Sequence, residues 1–374
     1  MNYIVLYIFI AFNIFILIQF LYFYLIYFKF VLYKKDNSIS PKQPVSVIIA
    51  CRNDAHNLKK NLPFIIEQNY PEFEVIVVND ASEDETGEIL KSYSNKYINL
   101  VIRTIPKESK KYFKGKKLAL TIGIKAAKYD CLLFTDTDCI PAGSKWIETM
   151  VSGFSNNKEI VLGFSGYHYK KGFLNNLIQY DTFYTALQYF SYALTGLPYM
   201  GVGRNLAYTK NIYYKNKGFK NHAHIHFGDD DLFVNENATK DNVSIVIDKA
   251  GQTFSEPETS FKQWFQKKRR HFVSGKFYKK KHKLLLSLEP VSRVLIFLLL
   301  PILLLTGNTL IVIISLSLFL LLITTWVITF YYAQKKISIR NILISSLFLH
   351  VIAPVIYFII HVANKVSRKT IKWK

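Results

Sequence analysis

No charged side chain occurs in residues 1–28, and none lies between Arg293 and Lys335. Both runs are dense in Ile, Leu, Phe and Tyr, and such stretches leave few options but a membrane. The first is long enough to cross a hydrocarbon core of about 30 Å as one helix. It has no basic leader and no small-residue cleavage site before Lys29, so it reads as a retained anchor rather than a removed signal peptide. The second has room for two helices joined at Thr306-Gly307-Asn308. Residues 342–363 offer a third span, interrupted by Pro354.

Lys29, Lys34 and Lys35 follow the first span directly, which by the positive-inside tendency puts the next segment in the cytoplasm. Four crossings would then leave the basic residues 365–374 outside, against the same tendency. Either one segment stops short of crossing or the charge rule fails here, and the sequence leaves both open. The expected division is an anchor over 1–30, a cytoplasmic domain over 44–260, a basic amphipathic interfacial segment over 261–290, two to three membrane helices over 291–364 and a basic tail over 365–374.

The chain carries 48 Lys and Arg against 26 Asp and Glu, a formal net charge of +22. Much of that excess borders the apolar ends, which points to lipid head groups rather than nucleic acid as its partner. Cys51, Cys131 and Cys139 sit in or beside apolar runs without metal-ligand spacing and read as buried, reduced thiols.

Between the ends, "VSVIIA" (45–50), "FEVIVVND" (73–80), "NLVIRT" (99–104) and "CLLF" (131–134) are apolar runs that alternate with helical patterns. Strands apolar throughout and separated by helices predict a mostly parallel, Rossmann-like α/β sheet covered on both faces. Ligands of such sheets bind beyond the carboxyl ends of the strands. Two acid clusters, "VVNDASEDET" and "FTDTD", fall there. The second half of the domain is less regular, with an aromatic helical stretch (173–194), the glycine-containing "YMGVGRNLAYTK", and "GDDDLF" after a strand-like "AHIHF".

Asp136 and Asp138 stand at i and i+2 just past a strand end, where both carboxylates can face one side of the sheet edge. Oxygen ligands in that arrangement suit Mg²⁺ or Mn²⁺, which would stabilise charge on a leaving diphosphate. Asp80 closes a buried strand and can accept hydrogen bonds from a base or ribose. Ser82, Asp84 and Thr86 look like caps for the following helix. The three acids of "GDDDLF" complement a helix N-terminus, and their crowding raises one another's pKa, as a general base requires. The alternating His222, His224 and His226 read as a polar strand face. The block at 262–283 interleaves ten Lys or Arg with aromatics. It reads both as an interfacial helix and as a source of Arg269 or Arg270 for a diphosphate.

Taken in order, "VSVIIACRNDAHNLKKNL", "VVNDASEDET", "GKKLAL", "DTD", "GDDDLF" and "QKKRRH" resemble a membrane-anchored family 2 glycosyltransferase with a GT-A fold, across roughly residues 44 to 275. The resemblance implies that Asp80 contacts the nucleotide's base or ribose and that Lys116 sits near the nucleotide. Asp136 would touch ribose or metal, and Asp138 would ligate the metal bridging the diphosphate. Gln266, Arg269 and Arg270 would lie at the donor site, and Asp230, or Asp229, would be the catalytic base of an inverting transfer. The partners implied are a nucleotide-sugar donor, a lipid-linked or glycan acceptor and membrane lipids, at the cytoplasmic face of the inner membrane, in cell-envelope polysaccharide or glycolipid synthesis. Arg270 stands where processive synthases of this family carry the Trp of Q-x-x-R-W, which favours single-sugar addition. A processive synthase of the same fold and an inactive GT-A scaffold or transport component are the alternatives.

Overall fold

The computed structural model describes residues 3–34, 42–107, 113 and 115–366. Lys35 and the tail beyond residue 366 lie outside the described residues. The chain opens with α1 (Tyr3–Leu21), which continues through a π-helical turn (Tyr22–Tyr27) into α2 (Phe28–Leu32) as one 30-residue rod.

The domain that follows is built on a sheet. In chain order its first half is β1 (Val45–Cys51), α3 (Ala55–Ile66), β2 (Phe73–Asp80), α4 (Thr86–Lys96), β3 (Leu100–Ile105), α5 (Lys117–Ala126) and β4 (Cys131–Thr135). Then come β5 (Cys139–Pro141), α6 (Trp146–Val151), β6 (Ile160–Gly163), β7 (Ser165–Tyr167), α7 (Phe173–Leu194), β8 (Leu206–Thr209) and α8 (Lys210–Lys215). The domain ends with α9 (Asp231–Asn237), β9 (Val243–Val246) and β10 (Thr253–Ser255). The main sheet runs β3-β2-β1-β4-β8-β6-β9, and a small one runs β5-β10-β7. In the main sheet β8 alone pairs antiparallel, with β4 and with β6. The expected α/β GT-A-type sheet is therefore present. β1 is buried along its whole length between β2 and β4, which explains a strand of continuous β-branched residues rather than an alternating one. The three cysteines are free and buried.

Four sequence expectations change. "AHIHF" forms no strand: a 3₁₀ turn (Lys220–His222) leads into turns. The buried ammonium of Lys117 donates to the carbonyls of Ile225 and Phe227 in these turns, at 2.9 and 2.7 Å. Ser82, Asp84 and Thr86 serve chiefly to join two loops rather than to cap α4. Their side-chain oxygens accept from the backbone N–H groups of Asn53, Ala55 and Asp54, tying the β2–α4 loop to the β1–α3 loop. Only Asp84 also serves the start of α4, accepting from Thr86 N. Pro354 does not interrupt its helix, which runs unbroken as α13 (Leu343–Val366). Finally, the segment expected at 261–290 divides into α10 (Phe261–Ser274), a 3₁₀ turn and the start of α11 (Lys280–Leu304).

α12 (Thr309–Ile337) follows α11 after a turn in which Gly307 has φ +68° and Asn308 Oδ1 accepts from Ile311 N, as "TGN" predicted. α1–α2, α11, α12 and α13 are each long and apolar enough to cross a membrane. Aromatic α7 joins the catalytic sheet to these helices. It is buried on most of its circumference, its aromatic residues interspersed with polar ones such as Asp181 and Gln188. Phe190 stacks on Phe30, and Phe183 and Tyr184 meet Phe330 edge-on.

Candidate active site

The β4 end is shaped by residues around the aspartates. Thr137, between them, is buried, and its hydroxyl donates to Asp54 while its carbonyl accepts from Asn61 at 2.9 Å. Cys139 N closes the turn on the carbonyl of Asp136 at 3.1 Å. Asp136, Thr137 and Asp138 all line one cavity.

Lys116 ends the loop before α5 and makes an ion pair with Asp136. Its ammonium also stands 3.9 Å from Oδ2 of Asp229. Burial alone would disfavour its charge, but Asp136, Asp229 and Asp230 hold its pKa above the usual lysine range. The reciprocal effect holds Asp136 low: burial opposes its ionisation, and Lys116, Arg204 and Lys267 overcome it. Gly115 is required just ahead of Lys116, because φ is +67° and a Cβ there would meet the carbonyl oxygen of His226 at 2.0 Å.

The second acid cluster opens α9. Asp230 is its N-cap, with Oδ1 accepting from Asp231 N at 2.8 Å and Oδ2 from Gly203 N at 2.7 Å. A Cβ at Gly203 would lie 3.2 Å from that same Oδ2, so glycine lets the backbone come this close. Burial, then Asp229 and Asp231, push the Asp230 carboxyl up to about 7. Asp231 points elsewhere and accepts from the hydroxyls of Ser274 and Tyr278. The cluster thus separates into a carboxylate facing Lys116 (Asp229), one with a near-neutral pKa (Asp230) and one that anchors α10 (Asp231).

Gln266, Arg269 and Arg270 line the same cavity from α10. Arg269 is also engaged across the helices, donating from Nε to Asn364 Oδ1 at 2.8 Å. Asp80 is buried at the end of β2, outside the residues that line this cavity. Several cavity residues escaped the sequence reading. Arg204 donates to the carbonyl of Ser165 at 3.2 Å and lies over the Tyr167 ring at 4.4 Å, with Lys267 near the same ring at 4.8 Å. "MGVGRN" was the available signal, an arginine directly after two glycines. Lys267 itself pairs with Glu258.

Asp138, Asp136 and the acid cluster are oxygen donors, the set that Mg²⁺ or Mn²⁺ prefers. Among the described residues, no three His, Cys, Asp or Glu side chains are grouped to hold an ion unaided. That donor set fits a cation that takes its remaining ligands from water and substrate phosphate.

The cavity measures about 1820 Å³ and extends from these carboxylates between α7, α10, α11 and α13. Its walls on α11 and α13 mix apolar residues, Val291, Val294, Leu295, Val355 and Phe358, with Glu289, Arg293 and His361.

A mostly parallel sheet with acid residues beyond the end of β4 and a second acid cluster across one crevice defines an α/β domain of the GT-A class. Residues 46–219 match the family described as Glycosyl transferase family 2, and the chain carries a family 2 glycosyltransferase domain. Among curated relatives, glycosyltransferase AglE of Haloferax volcanii is 36% identical over 121 residues, 32% of this chain and 38% of that protein. The poly-beta-1,6-N-acetyl-D-glucosamine synthase of Staphylococcus epidermidis is 31% identical over 100 residues, 26% of this chain and 22% of that protein. The chain thus matches well under half the length of these relatives. The solved mannosyltransferase PcManGT from Pyrobaculum calidifontis, in complex with GDP-Man and Mn²⁺, shares the fold with a TM-score of 0.58 at 16% identity, over 93% of this chain and 99% of that one.

Proposed function

We propose that the protein transfers a sugar, with inversion, from a nucleotide-sugar donor to a hydroxyl of a lipid-linked acceptor at the cytoplasmic membrane face. One observation carries this reading: a single cavity joins the acidic turn after β4 and the Asp229–Asp231 cluster to walls on the membrane helices α11 and α13 that hold several apolar side chains. A donor diphosphate suits the polar end, which Arg204, Lys267, Gln266 and Arg270 line. An apolar acceptor tail suits the other end.

Asp230 is the general base. It takes the acceptor hydroxyl's proton, the freed oxygen bonds to the anomeric carbon, and the carbon–oxygen bond to the diphosphate breaks with its electron pair leaving on phosphate. A carboxyl with a pKa near 7 is matched to this task at neutral pH. Lys116 holds Asp136 and Asp229 in place across the crevice. Asp138 is the first carboxylate for a divalent cation, with Asp136 beside it, and that cation would neutralise charge on the leaving diphosphate. For Asp80 to receive the base or ribose, as the resemblance implies, the donor would have to reach beyond this cavity, because Asp80 is buried outside its lining. We assign the domain to residues 44–260, with the flanking helices holding it at the bilayer.

Mixing the purified chain with a panel of nucleotide sugars and Mn²⁺ and following thermal stability tests the donor site, because a ligand bound only by the folded state raises Tm. No shift with any donor would favour the scaffold reading. The similarity to a poly-N-acetylglucosamine synthase keeps a polymerising reading in view. Product length separates the two: one added sugar supports the proposal, and a ladder overturns single addition.

A further inference from the structure

We infer that α13 does not cross the membrane but lies in its surface, against the catalytic domain, with a lipid-facing apolar stripe. Three rods then cross: α1–α2, α11 and α12. They are joined to the domain at Leu32, Lys280 and Ile337, and the last of these is fixed by Gln252 of the domain, whose side chain donates to Ile337 O at 2.6 Å. Lys336 also donates to the carbonyls of Val31 and Tyr33, so the ends of α2 and α12 lie at one level.

α13 starts at that level. Gln334 of α12 accepts from Ile342 N at 3.0 Å and donates to Ser346 at 3.1 Å, and Arg340 lies 3.9 Å over the ring of Tyr169 in the catalytic domain. Half-way along, Tyr357 donates to Asp181 of α7 at 2.6 Å. At the far end Asn364 exchanges two hydrogen bonds with Arg269 of α10, at 2.8 and 3.1 Å. A helix of this length spans roughly 36 Å at 1.5 Å per residue, so a crossing would carry Asn364 to the opposite side of the bilayer. Instead its start lies against the catalytic domain and its far end is bonded to α10, which is itself tied to α7 of that domain by Lys268 and Asp181.

The side chains agree. Ser346, Leu349, His350, Ala353, Pro354 and Ile360 face inward and are buried. Ile344, Phe348, Ile359, Val362 and Val366 are exposed at helical spacing on the other side, and Val355 and Phe358, also exposed, border the active-site cavity. Lys335, Arg340 and Lys365, all exposed, flank the stripe at its two ends, where cations meet anionic head groups. The occupant of the stripe is therefore the lipid surface, continuous with the exposed apolar faces of α11 and α12.

Single cysteines at Ile98, Leu305 and Val366, all exposed, test the placement in sealed vesicles of one orientation with a membrane-impermeant maleimide. The unsubstituted chain, whose cysteines are buried, supplies the baseline. V366C should label from the same side as I98C in the catalytic domain, and L305C from the opposite side. Labelling of V366C together with L305C overturns the proposal. Spin labels at 344, 348, 355, 359 and 366 in anionic-lipid vesicles give a second reading. All should report one shallow depth. A depth maximum near 355 would mean a crossing, and protection of the stripe from both oxygen and lipid would mean a second copy covers it. Either result overturns the assignment.

Discussion

Lys116 bridges two acid clusters that stand far apart in the sequence: its ammonium pairs with Asp136 and lies 3.9 Å from Asp229. Substituting Lys116→Met removes the cation that, among the described residues, meets both. Asp136 keeps 35% of its side chain in solvent, so the folding cost stays at about 1–3 kcal/mol. Donor turnover should fall far more than Tm, and Lys116→Arg should recover part of it. Turnover unchanged in Lys116→Met would remove this lysine from the site.

For Asp230→Asn we expect turnover to drop roughly 10²–10⁴-fold with donor binding retained, as for a lost general base. The wild-type rate should rise with pH through about 7 and level off above it, because the carboxylate is the active form. Stability has the opposite sign. A carboxyl whose pKa is raised on folding stabilises at low pH and loses that contribution as pH climbs through about 7. Asp230→Asn should flatten both profiles, and a pH–rate curve unaltered by it would pass the role to Asp229.

Chelation of divalent ions should abolish turnover, and Mn²⁺ or Mg²⁺ should restore it. Asp138→Asn should raise the metal concentration needed for half-maximal rate. Full activity after stripping would exclude the metal role of Asp136 and Asp138.

Arg204→Lys keeps a charge but loses the flat guanidinium that lies over Tyr167. Donor KM should increase about tenfold, the equivalent of ~1.4 kcal/mol, with a smaller effect on kcat. A shift confined to kcat would place Arg204 at the reacting atoms instead.

Lys268 and Asp181 form a buried pair at 2.8 Å, and Tyr357 donates to the same carboxylate. Breaking it with Asp181→Asn should cost about 3–5 kcal/mol, seen as a lower Tm in detergent, because Lys268 is left buried without its counter-charge. Replacing both partners with apolar residues of similar size should restore most of the loss. A Tm as low in the double variant as in the single one would contradict that account.

Periodicity and composition by themselves determined the strands of the first half of the sheet, aromatic α7, the anchor and the α11–α12 turn. Each is a local pattern in which neighbouring residues share one environment. The pairing of "DTD" with "GDDD" was suggested by order along the chain. Their meeting through Lys116, and the unequal environments of Asp229, Asp230 and Asp231, depend on backbone groups such as Gly203 N that no local pattern reveals. "AHIHF" misled because its alternation suited a strand, while in the fold its residues form turns whose carbonyls meet a lysine more than a hundred residues earlier in the chain. The same division applies to α13. Its sequence reads as a membrane span because hydropathy records only how apolar a helix is. Only the contacts of Arg340 and Tyr357 with the catalytic domain and of Asn364 with α10 decide which way it lies, because a helix held at both ends on one side of a bilayer cannot pass through it.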